Sequence, residues 1–254
     1  MESLTGDPMR RIFNAHPLEK VRTQAERPGI EISQRDFSLE DRSVADIALF
    51  GSTGMIGQRI LNEALRRGHK VTAIVRDAAR APLHAPNLSV KTGDVLKPES
   101  VALAARGNSV VVSAYGPGNG DPGQLVTAAK SLLEGVGTIQ PARLITVGGA
   151  GSLEVAPGVQ LVDTPDFPAA WKKGASAARD ALAVFRTAPF DWTYVSPPMF
   201  IQPGMRTGKY RAGKDQLVKD AQGESRISAE DYAVAIVDEI EKPQHLRERF
   251  TVAY

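Results

Sequence analysis

The 254-residue chain contains no cysteine, which excludes disulfides, thiol nucleophiles and cysteine-ligated metals together. Histidine is scarce: four residues, none paired at metal-ligand spacing, offer no metal centre. An excess of one charge is missing too. With 31 basic against 29 acidic side chains the formal charge is +2, so neither nucleic acid nor an anionic membrane surface is expected as a partner. No stretch approaches the roughly 20 apolar residues that span a bilayer, and the amino terminus carries no basic-then-apolar signal pattern. The expectation is a cytoplasmic protein acting on a small molecule. What is present, 42% apolar and 24% charged residues, suits one large α/β domain with or without a small appendage.

Residues 1–45 differ from the rest, being polar, charged and broken by Pro8, Pro17 and Pro28. A short helix over 18–26 and an edge strand over 31–37 are the only elements suggested there, and neither buries a core alone. This extension reads as a tail, or as an oligomerisation arm clasping a second copy in a homodimer. From Asp46 the pattern changes to short Val-, Ile- and Leu-rich runs alternating with helical stretches, the signature of buried parallel strands and crossover helices. Strands are predicted at 47–51, 70–76, 88–93, 109–114, 143–148 and 191–196, and helices at 55–67, 98–106, 122–136 and 170–187, the first closed by Gly68. Such a chain folds as a Rossmann-like doubly wound parallel sheet with its ligand beyond the carboxyl ends of the strands. Past Pro197 and Pro198 the order loosens until Ser228 and Asp231, spaced as a capping box, open a helix to about Glu241. With a final strand at 250–254, residues 197–254 read as a small C-terminal substrate-side lobe of the 46–254 domain.

The sharpest motif is the turn Gly51-Ser52-Thr53-Gly54-Met55-Ile56-Gly57, between the first strand and an amphipathic helix. Gly51 permits the tight turn, Gly54 admits a pyrophosphate to the backbone, and Gly57 lets the helix pack on the sheet. Unpaired N–H groups and the helix dipole then stabilise the anion. At the end of the second strand Arg76 can pair with a 2'-phosphate, favouring NADP(H) over NAD(H), while Asp77 could instead accept from a ribose hydroxyl. Asp94 and Val95, after the third strand, fall near an adenine. The fourth strand ends in Ser113-Ala114-Tyr115-Gly116, with Ser113 near nicotinamide or its ribose, and the fifth ends in Val147-Gly148-Gly149. Small residues at both ends suggest close approach by a flat ligand. Trp192 and Tyr194 alternate with Thr193 and read as core.

Taken together, this turn, Val71-Thr72-Ala73-Ile74-Val75-Arg76-Asp77, Thr92-Gly93-Asp94-Val95, Asp191-Trp192-Thr193-Tyr194-Val195-Ser196-Pro197-Pro198 and Ile227-Ser228-Ala229-Glu230-Asp231-Tyr232-Ala233 resemble the atypical short-chain dehydrogenase/reductase group. That group contains NmrA-like and biliverdin-reductase-B-like flavin reductases. The run from Val147 to Val155 and Thr207-Gly208-Lys209-Tyr210 are similar to a bacterial subgroup provisionally described as NADH-flavin reductases. The resemblance implies a hydride-transfer fold, and in better-studied members a Ser with Tyr-x-x-x-Lys. Here Gly148 or Gly149 stands at the serine's place and Trp171-Lys172-Lys173 at the helix start where the pair belongs. The one Tyr-x-x-x-Lys, from Tyr210 to Lys214, falls past the sixth strand and reads as a chance match. Tyr115, Ser152, Lys172 and Lys173 remain as weak proton-donor candidates, with Tyr115 better suited to stacking or lining. Flavin or quinone reduction asks less of the protein, since a conjugated acceptor takes hydride and draws its proton from solvent. The reading is an NAD(P)H-dependent reductase for such an acceptor. Its rivals are a dinucleotide-binding redox sensor without turnover, and a non-redox isomerase, lyase or cyclase on the same fold.

Overall fold

The computed structural model describes residues 44–81, 84–139 and 142–254; the helix expected over 18–26 and the strand over 31–37 lie outside them. In chain order come β1 (Asp46–Phe50), α1 (Met55–Arg66), β2 (Lys70–Val75), β3 (Leu88–Thr92), α2 (Pro98–Ala105), β4 (Val110–Ser113), α3 (Gln124–Gly137) and β5 (Arg143–Val147). The hairpin β6 (Glu154–Ala156) and β7 (Val159–Gln160) follows, then α4 (Ala169–Phe185), β8 (Trp192–Ser196), β9 (Phe200–Gln202), β10 (Arg211–Gly213), β11 (Arg226–Ser228), α5 (Ala229–Glu241) and β12 (Glu248–Ala253).

The six strands expected of the doubly wound unit are present, and β12, where the final strand was expected, extends them with β10 to an eight-stranded sheet ordered β10-β12-β8-β5-β4-β1-β2-β3. Every pairing is parallel except that of β10 with β12. Ile47 pairs with Val71 on one side and Val110 on the other. The order therefore reverses at β1 and opens a crevice between β1 and β4. Strands covered on both faces need apolar side chains at every position, and Val110, Val111, Val112 and Ser113 are all buried. Their alternate side chains feed two cores. Ile47, Leu49, Val112, Ile145 and Val195 pack with α1 and α5, and Ala48, Phe50, Val111, Leu144, Trp192 and Tyr194 pack with α2, α3 and α4. Trp192 and Tyr194 are core as expected, Tyr194 meeting Phe185 edge-on at 5.6 Å.

Helix α1 buries Ile60, Leu61 and Ala64 and ends at Gly68, whose φ of +86° lets its N–H reach Leu65 O and that of His69 reach Ala64 O. The expected C-terminal lobe divides. Helix α5 lies on α1 and β12 pairs with β8, so both belong to the main layers. The β9–β11 pair and the strap 203–210 lie outside the central sheet, at the start of α5. Ser228 caps α5, its Oγ accepting from Asp231 N–H at 3.0 Å. The reciprocal half of the capping box is replaced: the Asp231 carboxylate, fully buried, accepts from the N–H groups of Thr207 and Gly208 and from the hydroxyls of Thr207 and Tyr254. It pins the strap. Among the described residues no helix is long and apolar enough to cross a membrane.

Candidate functional site

The β1–α1 turn needs glycine at two positions for internal reasons. Gly51 has φ +79°, and a Cβ there would stand 2.5 Å from Ala114 O on β4's exit. A Cβ on Gly57 would stand 2.0 Å from Gly51 O. The contact that Gly57 permits is therefore with the turn's own carbonyl, not with the sheet. Gly54 is different: its φ of −80° suits any residue, and a Cβ would meet only Gly51 O, at 3.4 Å. It donates to Gly51 O at 3.0 Å and begins α1 without a side-chain cap. The first N–H groups of a helix have no intrahelical partner and carry its positive dipole end. Ser52, inside the turn, is buried with an Oγ that has no partner among the described residues. The turn is thus a cradle of backbone donors at the strand-order reversal, and its chemistry fits an anionic pyrophosphate.

Around it the strand ends collect most of the other expected residues. Arg76 is exposed just past β2. Asp77 spends one oxygen on Ala79 N–H, capping a short 3-10 turn. Asp94 builds its own loop, accepting from Leu96 N–H and donating its N–H to Ser100 Oγ, while Val95 is buried beneath. Burial raises the pKa of Tyr115, with the positive field of Arg76 opposing and the negative field of Asp94 adding, so these three side chains sense one another across the crevice. The Tyr115 hydroxyl donates to Gln124 Oε1 at 2.7 Å. A phenol with a raised pKa and a committed proton is a poor acid. Ser113, buried at the end of β4, accepts from Tyr115 N–H at 3.4 Å. Ser113, Tyr115 and Val147 share the wall of a cavity of about 20 Å³ with Thr146 and Tyr194, enough for one water.

The exit of β5 overturns one expectation. A Cβ on Gly148 would lie 2.0 Å from the Tyr194 ring, on Gly149 2.6 Å from Ala178 Cβ, and on Gly151 2.8 Å from Ala175 Cβ. The small residues here admit the protein's own Tyr194 and α4, not a flat ligand. The ring is held by the Tyr194 hydroxyl donating to Ala178 O at 2.8 Å. Ser152 is buried and accepts from Nη1 of Arg249, whose Nε and Nη2 pair with Asp215, so its hydroxyl is turned to a structural use. Lys172 is exposed, and Lys173 stands 3.0 Å from Asp121. Tyr210 donates to Asp238 at 2.6 Å, beside Arg67 at the far end of α1, and Lys214 pairs with Glu248. The Tyr210–Lys214 spacing is a chance match, at the opposite end of α1 from the turn.

Sequence reasoning missed the brace linking the turn's helix to the strap. Arg59 donates to Met55 O and pairs with Glu230 Oε1 at 3.0 Å, while Glu230 Oε2 accepts from Gly204 N–H at 2.7 Å. Nothing local in sequence marks a contact between residues 171 positions apart.

The model of the NAD(P)H-binding family matches residues 51–243. A Burkholderia pseudomallei structure, provisionally described as an exported protein, is 48% identical over 83% of this chain and 100% of its own, with a TM-score of 0.77. A provisional epimerase of Bacteroides thetaiotaomicron is 38% identical over 84% of this chain and 98% of its own, TM-score 0.78. A provisional NADH-flavin reductase of Streptococcus pneumoniae is 34% identical over 82% and 99%, TM-score 0.72. These relatives share the fold while their names imply different chemistry.

Proposed function

The chain belongs to the NAD(P)H-binding family, and on that premise we propose that it is an NAD(P)H-dependent reductase passing hydride to a flavin, quinone or similar conjugated acceptor. The observation that carries this reading is Gly54. Serine or aspartate there would cap α1, and the fold tolerates a Cβ at 3.4 Å; a bare, uncapped helix start instead leaves its donors to a ligand. Gly51, Ser52, Thr53, Gly54, Met55, Ile56 and Gly57 line the pyrophosphate, which is held by those backbone N–H groups of the turn and helix start that have no partner in the protein. Arg76 pairs with the 2'-phosphate, which favours NADPH, and Asp94 with Val95 borders the adenine. Ser113, Ala114, Tyr115, Gly116 and Val147 border the nicotinamide half, while Gly148 faces the Tyr194 ring. The bound cofactor supplies the hydride. The protein orients the rings, and the proton comes from solvent, since the Tyr115 hydroxyl donates to Gln124, Ser152 is buried against Arg249, Lys173 pairs with Asp121 and Lys172 lies in solvent. The name of the S. pneumoniae relative supports a reductase, and that of the B. thetaiotaomicron relative supports a non-redox isomerase as the rival.

Titration with NADPH and NADH, followed by absorbance at about 340 nm after addition of a flavin or quinone, reads the hydride leaving. Acceptor-dependent loss of the band upholds the reductase. Binding with an unchanged band across a broad acceptor panel transfers the assignment to the isomerase or to a redox sensor.

A further inference from the structure

Large apolar side chains left in solvent are informative when they gather beside a site. All the parallel strands point their carboxyl ends to one edge, so α1 and α4, which each return the chain toward the opposite edge, begin at that edge. Met55 opens α1, Trp171 lies in the first turn of α4, and Phe200 follows β8 by a short loop. All three are exposed, Trp171 to 51%. Met205, 78% exposed, is drawn to the same rim by its neighbour Gly204, through Glu230 and Arg59 to the start of α1. Neither core includes any of the four.

The charges of this rim run the other way. Arg59 is paired with Glu230 at 3.0 Å and Lys173 with Asp121 at 3.0 Å. A side-chain grip on an acceptor's phosphate would use an unpaired cation, and Lys172, in solvent beside Trp171, is the one left; a single solvated lysine gives such a phosphate little hold. Resting on the reductase reading above, we infer that the acceptor is a neutral, flat, apolar ring of the quinone class, gripped by Trp171, Phe200, Met55 and Met205 without a phosphate subsite. Aromatic and thioether groups suit such a ring by stacking and by sulfur–π contact. The balance closes without another reactant: the quinone takes a hydride from reduced nicotinamide and one proton from solvent, leaving hydroquinone and oxidised nicotinamide.

The test compares menadione, riboflavin and FMN, the last two sharing one ring and differing by a phosphate. With NADPH as donor, kcat/KM for menadione exceeds both flavins by about tenfold, and FMN gains nothing over riboflavin. Trp171→Ala and Phe200→Ala each lower kcat/KM for menadione by about tenfold, leaving the NADPH dissociation constant unchanged. A second readout is independent of turnover. The chain has two tryptophans, and Trp192 is buried, so menadione added to the NADP-bound protein quenches Trp171 fluorescence saturably, and Trp171→Phe abolishes that signal. A tenfold preference for FMN over riboflavin, erased by Lys172→Ala, overturns the inference, as does quenching that never saturates. Saturable quenching without consumption of NADPH by any acceptor upholds the quinone site and sinks the reductase reading instead.

Discussion

Two glycine-rich runs leave the carboxyl edge of the sheet, 51–57 after β1 and 148–151 after β5, and they use missing side chains in opposite ways. In the second, the space is taken by the Tyr194 ring and by Ala175 and Ala178 of α4. In the first, Gly51 and Gly57 make room for the backbone of β4's exit and of the turn itself, and Gly54 makes room for nothing in the protein. A glycine run announces a close approach but not the approaching party. The far end of α1 completes the contrast: bare at its start, the helix is fastened at its finish by Glu63, buried among Arg66, Arg67 and Arg206, and by Arg67 to Asp238 and Glu241 of α5.

The comparison can be broken most severely at Gly57. Gly57→Ala forces a Cβ onto a backbone carbonyl that cannot step aside, so a loss of about 3 kcal/mol together with loss of NADPH binding is expected in denaturant and ligand titrations. Next is the anchor at the helix finish. Glu63→Gln should cost about 2 kcal/mol, less than a wholly enclosed pair because Arg66 and Arg206 are partly exposed and screened. Burial alone would raise the Glu63 pKa, and the arginines Arg206, Arg66 and Arg67 outweigh it, holding the carboxyl far below the usual range. Its folded pKa being depressed, the contribution is complete above the ordinary carboxylate pKa of about 4.3 and is lost as pH falls from there toward the folded value. Urea midpoints measured across that window should fall less steeply for Glu63→Gln than for the parent.

At the other glycine run, Gly148→Ala should cost about 1.5 kcal/mol as it meets the Tyr194 ring, with NADPH affinity changing little. Combining it with Tyr194→Leu should cost less than the two changes summed. Unchanged stability with lost binding would return Gly148 to the ligand. Arg76→Ala should weaken NADPH about tenfold more than NADH, and an equal loss for both would remove the 2'-phosphate from its role. The smallest effect on the fold belongs to Gly54→Ala: stability within about 0.5 kcal/mol of the parent, with NADPH binding weakened several-fold. A large loss of stability there would mean that Gly54 serves the fold after all.

Much of the fold was legible because parallel strands buried on both faces have few options. Val110-Val111-Val112 cannot face water on either side, Gly68 marks the left-handed exit of α1, and Ser228 caps α5 from its own neighbourhood. The candidate site was legible where one supersecondary unit contains it, from β1 through the turn into α1. It was not legible where partners arrive from elsewhere. Ser152 looked like a free hydroxyl at a strand end until Arg249 claimed it. Tyr115 looked unassisted until Gln124 took its proton, and Tyr210 carried a familiar spacing to the wrong end of α1.

The amino-acid sequence by itself determined the alternation of strand and helix, the parallel doubly wound class and the glycine-rich β1–α1 turn, because each depends on periodicity, burial or backbone freedom within a few residues. Only the tertiary structure decided that β12 and β10 complete the sheet, that Tyr194 fills the room beside Gly148, and that Arg59 and Glu230 brace the strap. These depend on side chains far apart in the chain meeting once the sheet has closed, and no local pattern encodes which of the many compatible partners will meet.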